Sequence, residues 1–145
     1  MRKSPWIFVV LPLLPLVLLL LFFGSRYLNE PSTIPVEFIQ CSNIVEGCGQ
    51  QSFNIRFDQV PQVMKPFKVS IEASGAEQAH VSFAMQGMEM GLNRYRLIKQ
   101  ADSTWQAEVT LPVCVQGRSY WAALIELKTT NGLKRYQIEF DAIRQ

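Results

Sequence analysis

The sequence predicts an all-β fold, an immunoglobulin-like β-sandwich of about seven or eight strands, preceded by one N-terminal transmembrane helix. Three observations lead there. One long apolar run lies within the first 25 residues, period-two alternation fills much of the remainder, and turn residues interrupt it at short intervals. At 145 residues the chain has room for one domain beyond the apolar run.

The apolar run extends from Trp6 to Phe23, WIFVVLPLLPLVLLLLFF, without a charged or polar side chain. As a helix it would rise roughly 27 Å, close to the hydrocarbon thickness of a bilayer. Pro12 and Pro15 would break a soluble helix, but membrane helices tolerate proline. A cleaved signal peptide is the alternative, yet its apolar core is usually shorter, and the following GSRYLNE is a poor cleavage site. Cys41 lies too far along for lipoprotein processing. Arg2 and Lys3 hold the N-terminus in the cytoplasm by the positive-inside rule, with Arg26 on the opposite side of the run. Residues 1–25 thus read as a single-pass anchor in a bacterial inner membrane. Residues 26–35, RYLNEPSTIP, read as a linker, and residues 36–145 as a periplasmic domain.

Within that domain no amphipathic helix and no repeat is evident. Phe53, Ile55 and Phe57 alternate with Asn54, Arg56 and Asp58, and Val69, Ile71 and Ala73 with Lys68, Ser70 and Glu72. Val81, Phe83 and Met85 share one parity; His80, Ser82 and Ala84 share the other. Trp105, Ala107, Val109 and Leu111 form a fourth set, and Tyr136, Ile138 and Phe140 a fifth. A period of two is what a sheet with one buried face requires. SYWAALIELK is apolar on both parities, which suits a central strand, and it reaches the last strand through Thr130-Asn131-Gly132-Leu133, a hairpin signal. Breaks fall at Pro61 to Pro66, Ser74-Gly75, Ala101 to Ser103 and Gln116-Gly117. A small barrel is the competing architecture; either one buries the aromatic rings, with Trp105 and Trp121 as centrepieces.

Charge and residue types exclude several functions. Setting aside Arg2 and Lys3, the remaining Lys and Arg number 12 and are matched by 12 Asp and Glu, so the exported part is neutral and has no nucleic-acid footprint. His80 is the only histidine, which leaves no Ser-His-Asp arrangement and no His-rich zinc site. Gly87, Gly91 and Gly117 sit in turn-like contexts rather than in a phosphate loop. The chain therefore reads as a non-enzymatic protein.

Cys41, Cys48 and Cys114 all follow the anchor and would face an oxidising compartment. Three cysteines leave at least one without an internal partner, and spacing alone does not fix which two pair. A C-x6-C pair lacks the tight geometry of a redox motif, so a structural disulfide is the better reading.

The chemistry-bearing feature is MQGMEMG, residues 85–91, which holds three of the five methionines. Met85 continues the inward parity of Val81 and Phe83. Beyond Gly87, Met88 and Met90 are two apart and project to one side of an extended segment. Thioethers select Cu(I) over harder ions, so Met88 and Met90 are candidate metal ligands, with Met85, His80 or a cysteine as a third donor. The ordinary alternative is that these methionines simply pack. On the strand that follows, Tyr95 points inward between Arg94 and Arg96. Asn93 is a candidate cap for the glycine-bounded turn, and Arg94 a candidate donor to its carbonyls.

FAMQGMEMGLNRYRL, followed by WQAEVTLPVCV, resembles the YtkA-like and FixH-like membrane-anchored bacterial proteins. The resemblance covers roughly Gln40 to Asp141. It rests on M-x-M-G-x-N-R at Met88, Met90, Gly91, Asn93 and Arg94, on L-P-x-C ending at Cys114, and on the upstream C-x6-C of Cys41 and Cys48. It implies a small β-sandwich behind one membrane helix, with a role in copper handling and cytochrome oxidase assembly. The chain departs from the histidine-plus-methionine ligand sets of periplasmic copper carriers in having His80 alone.

The expectation is a periplasmic Cu(I)-handling protein that works with a copper chaperone or with cytochrome oxidase assembly proteins. Two alternatives stand beside it: a metal-free interaction module that binds a membrane or periplasmic partner through the Met-rich turn, and a thiol-redox accessory.

Overall fold

The computed structural model describes residues 34–50, 52–85, 93–100, 103–113 and 120–143. The apolar run, Met88, Met90 and Cys114 lie outside them. Among the described residues no helix is long and apolar enough to cross a membrane.

Ten strands follow one another: β1 Val36–Ile39, β2 Cys48–Gln50, β3 Phe53–Phe57, β4 Pro66–Ala73, β5 Ala76–Met85, β6 Arg94–Arg96, β7 Ile98–Lys99, β8 Thr104–Thr110, β9 Tyr120–Thr129 and β10 Gly132–Asp141. They form two five-stranded sheets, ordered β1-β10-β9-β5-β6 and β2-β3-β4-β8-β7. The sheets pack as a β-sandwich rather than closing into a barrel. Every pairing is antiparallel except β1 on β10, where Val36 aligns with Arg135 and Ile39 with Ile138.

The alternation read from the sequence sets the register. Along β5, Ala79, Val81, Phe83 and Met85 are buried while His80, Ser82 and Ala84 are not. Along β9, Trp121, Ala123, Ile125 and Leu127 face the core, and the other parity, with Leu124 and Glu126, is only partly covered. The centre of the core is phenylalanine. Phe57 lies 5.0 Å from Phe67 and 5.2 Å from Phe140, ring centre to ring centre, with the rings tilted or edge-on. Trp105 and Trp121 are both buried, one in each sheet.

The β9–β10 hairpin forms where Asn-Gly signalled it, with its turn offset. Thr129 pairs with Gly132, so Thr130 and Asn131 are the connecting residues. Neither has positive φ, whereas Gly132 has φ 121°. A turn of that kind, closed by a glycine just after it, suits the twist of the strands, and the Thr129 hydroxyl donates to the Gly132 carbonyl at 2.9 Å.

Candidate functional site

Strands β5 and β6 frame the methionine segment. His80 aligns with Arg96, Val81 with Tyr95 and Ser82 with Arg94. One step further, the Phe83 amide donates to the Asn93 carbonyl at 3.1 Å. At the end of β5, Met85 aligns with Trp121 at the start of β9. The segments on either side of Cys114 and of the Met88–Met90 pair therefore depart from one rim of the sandwich, bounded by Met85, Asn93, Val113 and Tyr120. Met88, Met90 and Cys114, expected as soft donors and as a disulfide candidate, themselves lie outside the described residues.

Met85 is 3% exposed and belongs to the core, as its parity implies. His80 lies on the outer face of the same strand, five positions earlier. Odd spacing puts the two side chains on opposite faces, and strand rise separates their Cα atoms by about 17 Å. The two do not converge, so Met85 and His80 are alternatives as a third donor and not joint ligands of one ion. Among the described residues no three His, Cys, Asp or Glu side chains converge.

The outer face around His80 is a charge cluster. Glu126 aligns with His80, and its carboxylate binds the Arg94 guanidinium at 2.7 Å and the Arg135 Nε at 3.0 Å. Arg94 reaches Glu126 across the whole width of β5, over Ser82 and His80. Burial holds the His80 pKa below its ordinary value. Arg94 and Arg96 push the same way and Glu126 opposes them. Near neutral pH the imidazole is uncharged. Sequence reasoning missed Glu126 and Arg135. Glu126 is legible as the charged residue on the outer parity of an apolar strand, but its partners depend on register.

Asn93 sits where the methionine segment rejoins β6, and its Nδ2 is buried with no hydrogen-bond partner among the described residues. The turn it is expected to cap lies outside them. Tyr95 points inward as expected: its ring lies edge-on to Phe83 at 6.1 Å, and its hydroxyl reaches the Thr110 backbone.

Cys41 and Cys48 form a disulfide, with Cα atoms 5.3 Å apart. It closes a loop that is ordered from within. Asn43 Oδ1 accepts from the Val45 amide at 3.1 Å, the Gly47 amide donates to the Asn43 carbonyl at 3.2 Å, and Ile44 is buried. With Cys48 only 6% exposed, the bond reads as structural rather than as a redox pair.

Met64 lies between Pro61 and Pro66, a sequence context that carries no ligand signal. It is 53% exposed, at φ 65°, and its amide donates to the Leu111 carbonyl at 2.9 Å. That places a third thioether near the strand end that leads to Cys114. Val60, Val113 and Ile143 are exposed in the same region, which the bridge between Gln62 and Ile143 closes.

Compared with protein-family models and with curated proteins, the chain matches none. Among solved structures it is similar to an engineered protein determined by crystallography, at 16% identity and a TM-score of 0.46. The match covers 61% of this chain and 19% of that one, so the chain spans under a fifth of the protein it resembles.

Proposed function

We propose that this chain is a membrane-anchored periplasmic protein that handles Cu(I), in the assembly of a copper-containing respiratory oxidase, through Met88 and Met90. In this reading the domain is an immunoglobulin-like sandwich. What supports that is the strand order: β3-β4-β8-β7 opposite β10-β9-β5 has the four-plus-three arrangement of that fold, with β1, β2 and β6 added at the edges.

The observation that carries the copper reading is the framing of the methionine segment. Met85 is held in the core beside Trp121, and the Phe83 amide donates to the Asn93 carbonyl, so both ends of the methionine segment are anchored in the same sheet. Met64, exposed and tied to Leu111, offers a further soft donor there. Thioethers need no deprotonation to bind, so an ion held by them exchanges readily with a chaperone or an acceptor protein. The test is a Cu(I) titration against a competing chelator. The double variant Met88→Leu, Met90→Leu should compete at least tenfold worse than wild type; equal competition sinks the assignment.

A second reading, a metal-free module that docks a membrane or periplasmic protein, draws on the apolar residues Val60, Met64, Val113 and Ile143, all more than half exposed. A partner crosslinked in copper-free conditions, and lost in the same double variant, would favour it.

A further inference from the structure

A cavity of about 730 Å³ opens on the outer face of the same sheet, at its β1 edge, between β1, the start of β9 and the end of β10. Its walls include the Phe38 and Tyr120 rings, Gln137, Glu139 and the chain from Ile39 to Ser42. Phe38 is 69% exposed and aligned with Gln137, so its ring stands on the outer face. Tyr120 is 41% exposed.

Three features of this cavity point to one ligand chemistry. Two aromatic side chains, Phe38 and Tyr120, line it, and the faces of such rings carry negative quadrupole charge. The Tyr120 hydroxyl donates to Glu139 Oε2, which orients the carboxylate and leaves its other oxygen available as an acceptor. No lysine or arginine is among the described lining residues, so no described neighbour in the wall neutralises Glu139. The volume falls in the range of small-molecule sites, several times that of an ammonium head group. The Cys41–Cys48 disulfide tethers the wall at Gln40 to Ser42 to the start of β2.

We infer that this cavity is a binding site for an organic cation, an ammonium or guanidinium group, held between Phe38 and Tyr120 and neutralised by Glu139. The site shares Tyr120 with the border of the methionine rim but uses none of the methionines, and it does not rest on the copper reading. The cation has two possible sources, a free small molecule or a basic side chain of a partner, and both present the same group.

The experiment is an NMR titration of the full-length chain in maltoside micelles with choline, with its neutral isostere 3,3-dimethylbutanol, and with N-acetyl-arginine amide. Choline or the arginine amide should shift the amides of Phe38, Tyr120 and Glu139, and the neutral isostere should bind at least fivefold more weakly, the scale of about 1 kcal/mol of cation–π attraction. Choline alone indicates a small-molecule ligand, and the arginine amide alone a partner side chain. Glu139→Gln keeps an acceptor for Tyr120 and removes the charge, and should weaken binding about tenfold with the fold intact. Phe38→Leu, at an exposed position, should weaken it about fivefold. The inference is overturned if neither cation shifts these residues, if the isostere binds as well as choline, or if Glu139→Gln binds equally.

Discussion

The Tyr95 hydroxyl donates to the Thr110 carbonyl at 2.9 Å and accepts from the Thr110 amide at 3.3 Å. Tyr95 belongs to one sheet and Thr110 to the other, so a single phenol ties the two layers where β6 passes into β7. It satisfies both backbone groups at the last residue of β8, where the ladder with β7 no longer reaches. Tyr95→Phe keeps the ring against Phe83 and removes both bonds. It should cost about 1–2 kcal/mol in urea unfolding and speed exchange of the Thr110 amide. Unchanged stability and unchanged exchange would show that the clamp contributes nothing.

The disulfide spans a separation of seven residues. Closing so short a loop restricts the unfolded chain modestly, so replacing Cys41 and Cys48 by alanine should cost about 2 kcal/mol. Gly49, the residue after Cys48, has a second constraint. A Cβ there would meet the Phe53 carbonyl oxygen and lie 2.7 Å from the Asn54 Cα, both backbone atoms. Gly49→Ala should therefore unpair β2 from β3 and exceed the cost of losing the disulfide. Equal thermal midpoints for Gly49→Ala and wild type would refute the close approach.

Much of this fold was legible because alternation encodes burial directly. The parity of Val81, Phe83 and Met85 alone implies that Met85 is in the core, and the apolar run around Trp121 marks the strand that lies at the centre of its sheet. Of the short edges only β6 is legible, through Tyr95 between two arginines; β1, β2 and β7 span two to four residues, too few to show a period. Register was the other gap. Arg94, Glu126 and Arg135 are far apart in sequence, and only the pairing of β6 with β5 and of β9 with both β5 and β10 brings them together. Disulfide connectivity was open for the same reason, since three cysteines allow three pairings and only the fold chooses.

His80 gives the outer face a pH dependence whose sign is fixed. Its ordinary pKa is 6.5, and in the folded chain burial, Arg94 and Arg96 lower it against the pull of Glu126. As pH falls through 6.5 the unfolded chain takes up the proton first, so this residue's contribution lowers stability on acidification until folded His80 itself titrates. His80→Gln should flatten the stability profile in that window. Glu126→Gln should lower the His80 pKa further, since it removes an attractive charge while Arg94 and Arg96 stay. An NMR titration that places folded His80 above 6.5 would contradict this account.

Met85 separates packing from ligation. Met85→Leu conserves volume in a filled core, so it should cost less than about 1.5 kcal/mol and leave Cu(I) competition unchanged. A large loss of Cu(I) affinity in Met85→Leu would mean that its sulfur leaves the core to bind the ion.

The central claim is a Cu(I) site built from the thioethers of Met88 and Met90 without His80, and X-ray absorption at the copper edge of the Cu(I)-loaded full-length protein tests it most directly. The account predicts a first coordination shell of sulfur scatterers alone, unchanged in His80→Gln and lost in Met88→Leu, Met90→Leu. An imidazole nitrogen in that shell, or the same sulfur shell persisting in the double variant, would contradict it.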